Sequence, residues 1–516
     1  MSAAQAGEAP RRGGTFSAIA PHGDSVSTLD PHKSTRTQDY MISFALHCAL
    51  YRWDSDKGQP IPDLAESVER VGDGPRYRVR LHPNAKFHNG RPVTADDVIW
   101  SFNRAIDPAQ GLAGARYVRS VVGADAVQSG TAKTLSGLKK IDDHTLEFEL
   151  TENIDPGYLF FWPATAILPS DEVAARGDRF GSEPVGCGPF KFTEMVSGSR
   201  VVLDRFDDYF HEGRPYLDRV TYAIMGEAAA RDIAFRSGQI DINTVSPAQI
   251  AAYRNDPSLS ANLLDAVVDY TRHMGFNQRF EPLKDMRVRQ AINYAIDSQL
   301  IIDRYLNGQA KKANGWVPAT NPVFEPDFDP YPYDPEKAQA LMKEAGYENG
   351  FELKILTNNN QEYGVGIVEV IRPFLKAINI EVKPIIVENS VAVEVMFGTG
   401  DFDAYQWAYS SGPDPYVALK RFLSGTDRPG GNAVGYANPE FDALMKKVDE
   451  TSGEERIAAL RAANRFLAED APGWFFNYSV NTLAYKPYVH GLQKNSVHIT
   501  YQYPDLIWLD DTAPQR

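Results

Sequence analysis

Cysteine is scarce: Cys48 and Cys187 are the only two in 516 residues. Two thiols cannot build a disulfide-rich scaffold or a four-cysteine zinc site. They could join as one disulfide in an oxidising compartment, or stay apart as small buried hydrophobes. Long apolar runs are missing as well, and nothing approaches the roughly 18–20 residues that cross a bilayer as a helix. The opening Met1-Ser2-Ala3-Ala4-Gln5-Ala6-Gly7 lacks a charged region followed by an apolar one, and no cysteine near it offers a lipid anchor. The expectation is a cytosolic protein or one whose secretion signal has been removed. Positive charge is also short. Lys and Arg number 53 against 68 Asp and Glu, a formal net charge of −15. Such a chain repels nucleic acid and anionic lipid, so neither is expected as a main partner.

Catalytic signatures are absent too. The ten histidines are scattered, with no His-x-x-x-His or His-Glu-x-x-His pair. There is no Gly-x-Ser-x-Gly elbow and no Gly-Lys-Ser/Thr phosphate loop. Gly186-Cys187-Gly188 runs into Pro189 and reads as a turn, with Cys187 structural rather than nucleophilic. His82 and His88 flank a turn and read as surface residues. Neither an enzyme, nor a metal site, nor a cofactor is expected.

What is present is enough apolar material for large cores, since 43% of residues are hydrophobic. One core rarely grows past about 250–300 residues, so two lobes are expected. Alternation with period two marks strands at Tyr77, Val79 and Leu81, at Leu146, Phe148 and Leu150, and at Phe351, Leu353 and Ile355. Thr94-Ala95-Asp96-Asp97 is a capping box ahead of Val98, Ile99 and Phe102. Val288, Ala291, Ile292, Ala295 and Ile296 form a helical stripe that should run on to about Gly308. Asp334-Pro335 opens a further helix that Gly346 closes. From about Phe351 strands and helices alternate, which predicts a mostly parallel α/β sheet in the second half.

Two loops stand out in that half. One strand runs into Asn358, Asn359, Asn360 and Gln361. The other, Phe402–Tyr409, carries Trp407 and Tyr409 on one face and runs into Ser410, Ser411, Gly412, Pro413 and Asp414. In open α/β sheets ligands sit outside the carboxyl ends of strands, where such loops converge. Amides, hydroxyls and aromatic tips suit a small polar solute. Asn and Ser are also ordinary turn and cap residues, a reading that stays open for each loop alone. Asn243 and His22 complete the set of candidate ligand contacts.

Several blocks together resemble the family 5 extracellular solute-binding proteins, the oligopeptide, dipeptide and nickel binding group. They are Thr28-Leu29-Asp30-Pro31-His32, Pro62 to Ser67, Phe87-His88-Asn89-Gly90-Arg91-Pro92-Val93-Thr94, Val185-Gly186-Cys187-Gly188-Pro189-Phe190, Asp285 to Asp297, and Lys337 to Tyr347. The resemblance runs from about Gly13 to about Tyr485. It implies a two-lobed α/β periplasmic binding protein (cluster C type) with an extra subdomain in the first lobe. It places a flexible arm at 1–12, the first lobe at 13–272 with its subdomain at about 52–185, the second lobe at 273–482, and a return to the first lobe at 483–516. It implies a monomer that closes on its solute and delivers it to an inner-membrane ABC permease, the ligand favouring the closed state by its own contacts. An enzyme or a chemosensory receptor on the same scaffold is the alternative.

Peptide-binding members hold the ligand's amino terminus with an acidic residue just after the equivalent of Trp407. Here Ser410 or Ser411 stands in that place. Dipeptide binders use an arginine where this chain offers Asn358, Asn359, Asn360 and Gln361. A buried ammonium without a carboxylate costs several kcal/mol. The departures therefore suit a sugar, a sugar phosphate or an opine-like (agrocinopine-type) conjugate as well as a peptide.

Overall fold

The computed structural model describes residues 9–20, 25–410, 412–425 and 432–515. Most of the expected 1–12 arm, His22 and Ser411 therefore lie outside the described residues. The chain forms two compact units. One takes residues up to Ala266 and from Thr482 onward; the other runs from Val267 to Asn481. The chain passes between them twice, inside the long strands Leu263–Phe276 and Gly473–Tyr485. Each unit has its own apolar core, one around Phe102, Phe148, Phe160 and Val220, the other around Ile292, Ile355, Ile371 and Trp474.

The first unit carries two four-stranded sheets. One orders Thr15–Ala20, Arg219–Ile224, Arg200–Arg205 and Phe190–Val196, with the first pair parallel and the others antiparallel. The other is antiparallel throughout: Ala65–Arg70, Arg76–Leu81, Thr145–Glu149 and Leu138–Lys140. Its alternation is the one read from the sequence, with Val79, Leu81, Leu146 and Phe148 buried. Helix Ala95–Ile106 starts as expected. The Asp97 carboxylate accepts the Thr94 backbone N–H at 2.9 Å and its hydroxyl at 3.0 Å, and Arg91 locks that carboxylate from outside.

Cys48 and Cys187 are joined in a disulfide, with Cα atoms 5.3 Å apart. The bridge pins the 186–188 turn against the end of helix Thr37–Leu46. A side chain on Gly186 or Gly188 would strike the Leu46 backbone, so both flanking positions demand glycine. His88, expected at the surface, is instead built into this junction. Its Nδ1 accepts the Gly186 N–H at 3.2 Å, and its Nε2–H donates to the Gly188 carbonyl at 3.0 Å. The turn needed partners for its own backbone, and a neutral imidazole supplies one donor and one acceptor. The C-terminal segment is held by charge: Arg52 reaches Asp505 at 3.1 Å, both nearly inaccessible, and the Tyr503 hydroxyl accepts the Trp53 N–H at 2.8 Å.

In the second unit strand Glu352–Thr357 runs parallel to Glu381–Ile386 and to Ala404–Ser410. The parallel region stops there. Ala404–Ser410 pairs antiparallel with Leu263–Phe276, and Ala310–Lys312 antiparallel with Gly473–Tyr485. The sheet is mixed rather than mostly parallel, because the long crossing strands enter without the crossover helix that parallel pairing requires. The helix expected to reach Gly308 breaks at Ile296. Met286–Ala295 ends, and Asp297 caps a second helix, Ser298–Arg304, by accepting the Leu300 N–H at 2.9 Å. A short acidic side chain at that point favours a new cap over continuation. Helix Pro335–Glu344 begins on the Asp334 cap, and Gly346 follows it at φ +81°.

Buried histidines, His32 and His47 among them, make the first unit's stability depend on pH. Burial depresses His32 and His47 to about 4 each, against an ordinary value of 6.5. Each Nε2–H donates to a carbonyl, of Ala166 and of Leu29. Both rings are neutral when folded and ordinary when unfolded, so their contribution is full above about pH 6.5 and drains as pH falls toward 4. By pH 5 the expected loss is on the order of 2 kcal/mol for each. Urea unfolding should show a lower midpoint for this unit at pH 5 than at pH 7.5; identical midpoints would rule the two histidines out as an acid liability.

Candidate functional site

The register Ile355 to Ala404 and Leu356 to Tyr405 sets the second unit's strand ends out of step. Strand Glu352–Thr357 stops at the level of Gln406, while its neighbour runs on to Ser410. The Asn-rich loop therefore lies alongside Gln406 and Trp407. Gln406 Nε2 donates to the Tyr363 carbonyl at 3.2 Å, and the Tyr363 and Trp407 rings meet edge to face at 6.4 Å.

Within that loop the asparagines divide into two kinds. Asn358 is 3% exposed. Its Oδ1 accepts the Asn360 N–H at 3.0 Å, and its Nδ2 donates to Asn389 Oδ1 at 2.9 Å. Asn360 Oδ1 accepts the N–H groups of Glu362 and Tyr363 at 2.7 and 2.9 Å. Gly364 follows because a Cβ there would collide with Asn358 Oδ1. These two amides hold the loop's shape. Asn359 and Gln361 are exposed, and the one bond among them runs from Gln361 Nε2 to the Asn359 carbonyl at 3.2 Å.

In the second loop Asp414 is buried and caps helix Pro415–Lys420, its Oδ1 accepting the Tyr416 N–H at 2.9 Å. Asn321 Nδ2 donates to the Pro413 carbonyl at 2.9 Å. Gly412 sits at φ +73°, which glycine adopts without strain. Ser410 closes its strand opposite Tyr270. Asn243 is fully buried in the first unit, where its Nδ2 donates to the Tyr253 hydroxyl at 3.0 Å. Its side chain takes part in that unit's packing.

Sequence reading missed an aromatic and charged cluster around Tyr409. The Arg421 guanidinium lies 3.8 Å from the Tyr409 ring centre and 5.4 Å from that of Trp316. His273 packs edge-on to Trp316 at 4.6 Å. Its Nδ1–H donates to the Thr271 carbonyl at 3.2 Å, so Nε2 accepts the Tyr405 hydroxyl at 3.0 Å. Burial above all, with Arg421's charge adding, depresses His273 to about 3. It is a neutral ring with both nitrogens used, not a free base. Arg272 lies across the strand and pairs with Glu362 at 3.0 Å. Trp316 and Arg421 sit in segments with no periodic pattern, so the sequence alone carried no signal for them. Among the described residues no group of three His, Cys, Asp or Glu side chains is placed to hold a metal, and no helix is long and apolar enough to cross a membrane.

Residues 59–430 match the family description "Bacterial extracellular solute-binding proteins, family 5 Middle". The chain belongs to this family. It is 31% identical over 448 residues to the oligopeptide-binding protein AppA of Bacillus subtilis, covering 82% of this chain and 78% of that protein. Its fold is similar to the unliganded open form of the periplasmic murein tripeptide binding protein MppA, with a TM-score of 0.87 at 23% identity, covering 97% and 98% of the two chains. It is also similar to AgaA from A. tumefaciens R10, solved in complex with agropinic acid: TM-score 0.70, 26% identity, 97% and 99% covered. The two-lobed α/β fold expected of a periplasmic binding protein is the fold found. As a family member the chain is a solute-binding protein and not an enzyme.

The loop's division of labour is testable. Asn358→Ala removes bonds on both sides of a buried amide and should cost about 1–3 kcal/mol of second-unit stability. Asn359→Ala and Gln361→Ala should stay within about 0.5 kcal/mol of the parent in the same denaturation experiment. Equal losses for all three would mean the exposed amides also build the loop.

Proposed function

We propose that this protein is the capture component of an ABC importer, working outside the cytoplasmic membrane as a monomer and handing its solute to an inner-membrane permease. The second unit's strand ends carry the ligand contacts we assign, with Trp407, Tyr409, Asn359, Gln361, Ser410, Ser411 and Gly412 among them. The cargo is a peptide-like or opine-like conjugate, sugar-derived moieties included, recognised without an ammonium clamp.

One observation carries the ligand assignment. Both carboxylates of the two loops are already engaged, Glu362 with Arg272 and Asp414 as a helix cap. A ligand ammonium buried there would find no loop carboxylate without a structural role, and leaving it unpaired would cost several kcal/mol. Exposed amides and aromatic faces suit neutral polar groups. The relatives support both halves of the class, since AppA is named for oligopeptides and AgaA was solved with agropinic acid. The disulfide fits an oxidising compartment outside the cytosol.

Mass spectrometry of solute released from protein exported by a bacterial host tests this directly. Compounds lacking a free α-ammonium are expected; recovery of simple zwitterionic dipeptides would overturn the assignment, and turnover of the released compound would sink the binding role. Calorimetry of that compound on Asn359→Ala should show affinity reduced more than tenfold, about 1.4 kcal/mol. Unchanged affinity would remove the loop from the site.

A further inference from the structure

Arg421 is a half-buried cation that packs on aromatic rings and has no ion-pair partner among the described residues. Acidic residues outnumber basic ones in this chain by 68 to 53, so a carboxylate partner is not scarce. Other half-buried arginines are tied down: Arg272 to Glu362, Arg91 to Asp97, Arg456 to a backbone carbonyl. Among the described residues Arg421 is the one arginine that is not exposed yet makes neither a hydrogen bond nor an ion pair, and its Nε is buried without a partner. Its guanidinium lies instead against the Tyr409 ring, with Trp316 beside it.

That arrangement fixes the cation without satisfying it. Stacking holds the guanidinium plane over an aromatic face and leaves its N–H fork unspent. The fork matches the two oxygens of a carboxylate or a phosphate. Its location is at a strand's carboxyl end: Tyr409 is the penultimate residue of strand Ala404–Ser410, and Arg421 caps the C-terminus of helix Pro415–Lys420, which follows the loop. His273, the other titratable ring in the cluster, is neutral and fully bonded, so it cannot share the anion.

We propose that Arg421, stacked on Tyr409, is the anchor for an oxyanion on the captured solute, a carboxylate or a phosphate. The proposal rests on reading the second unit's strand ends as the ligand site. It makes the cargo anionic at one end and polar but uncharged at the other, which sharpens the class named above. A peptide-type conjugate would supply its carboxylate; a sugar phosphate would supply its phosphate.

Paired probes separate these sources. One pair is a pool of N-acetylated tripeptides with free carboxyl ends and the same pool amidated; the other is glucose 6-phosphate and glucose. Binding is read by native mass spectrometry and thermal shift on the full chain. Wild type should prefer the charged member of at least one pair by tenfold or more, and the pair that responds identifies the oxyanion. Arg421→Gln should abolish the preference, and Arg421→Lys, which keeps the charge but loses the fork, should retain part of it. Should Arg421→Gln fail to fold, Arg421→Lys decides, with a preference reduced several-fold expected and an undiminished one overturning the proposal. Equal binding of charged and neutral members by wild type, or a preference that survives in Arg421→Gln, overturns the anchor and leaves the ligand site standing. Absence of binding by all four probes counts against the ligand site itself, and the anchor falls with it.

Discussion

Parallel pairing of strand Glu352–Thr357 with strand Ala404–Ser410 is the constraint on which the candidate site depends. The register is set by apolar burial, because Leu353, Ile355 and Ala404 are fully enclosed and a slip of one residue would turn the first two outward. With Leu356 held opposite Tyr405, the longer strand must overrun the shorter by several residues. That overrun puts Gln406 within reach of the Tyr363 carbonyl and the Trp407 ring against Tyr363. Core packing thus decides which aromatic stands next to which loop amide.

Much of the fold was legible because periodic burial leaves a periodic record. Tyr77 to Leu81 and Leu146 to Leu150 alternate in sequence and pair in the same sheet. Asp97, Asp334 and Gly346 cap or follow helices where their chemistry says they should. The failures also have physical causes. A helical stripe continues across Ile296, but Asp297 supplies a cap and the chain takes it. Alternating strands and helices imply parallel pairing, yet the sheet also receives strands from chain crossings, which local pattern cannot announce. His88 looked like a turn residue because nothing in its neighbourhood reveals the backbone of Gly186 and Gly188 lying against it.

The site was legible by place more than by role. Both loops follow strands as expected, but residue type could not say which amides the fold itself uses. Asn358 and Asn359 are chemically identical. One is spent on Asn389 and the turn, and the other is exposed. Asp414 is a carboxylate in a candidate site, yet it serves its own helix. Trp316 reaches the cluster from far away in sequence, and Arg421 from across the loop and helix that follow the strand.

Two arginines in this region show how the fold treats its cations differently. Arg272 sits almost buried, where an unpaired charge would be costly, and it is matched by Glu362. Arg421 is half-buried and held against the Tyr409 ring without an ion-pair partner. Stacking on Tyr409 spares much of the side-chain entropy that binding would otherwise consume. The loop amides of Asn358 and Asn360 have the same effect on the backbone, fixing it before any ligand contact. A protein that must seize a dilute solute gains most from groups already in place and still unsatisfied. Hydrogen-bond accounting within the second unit therefore separates what builds the site from what the site offers.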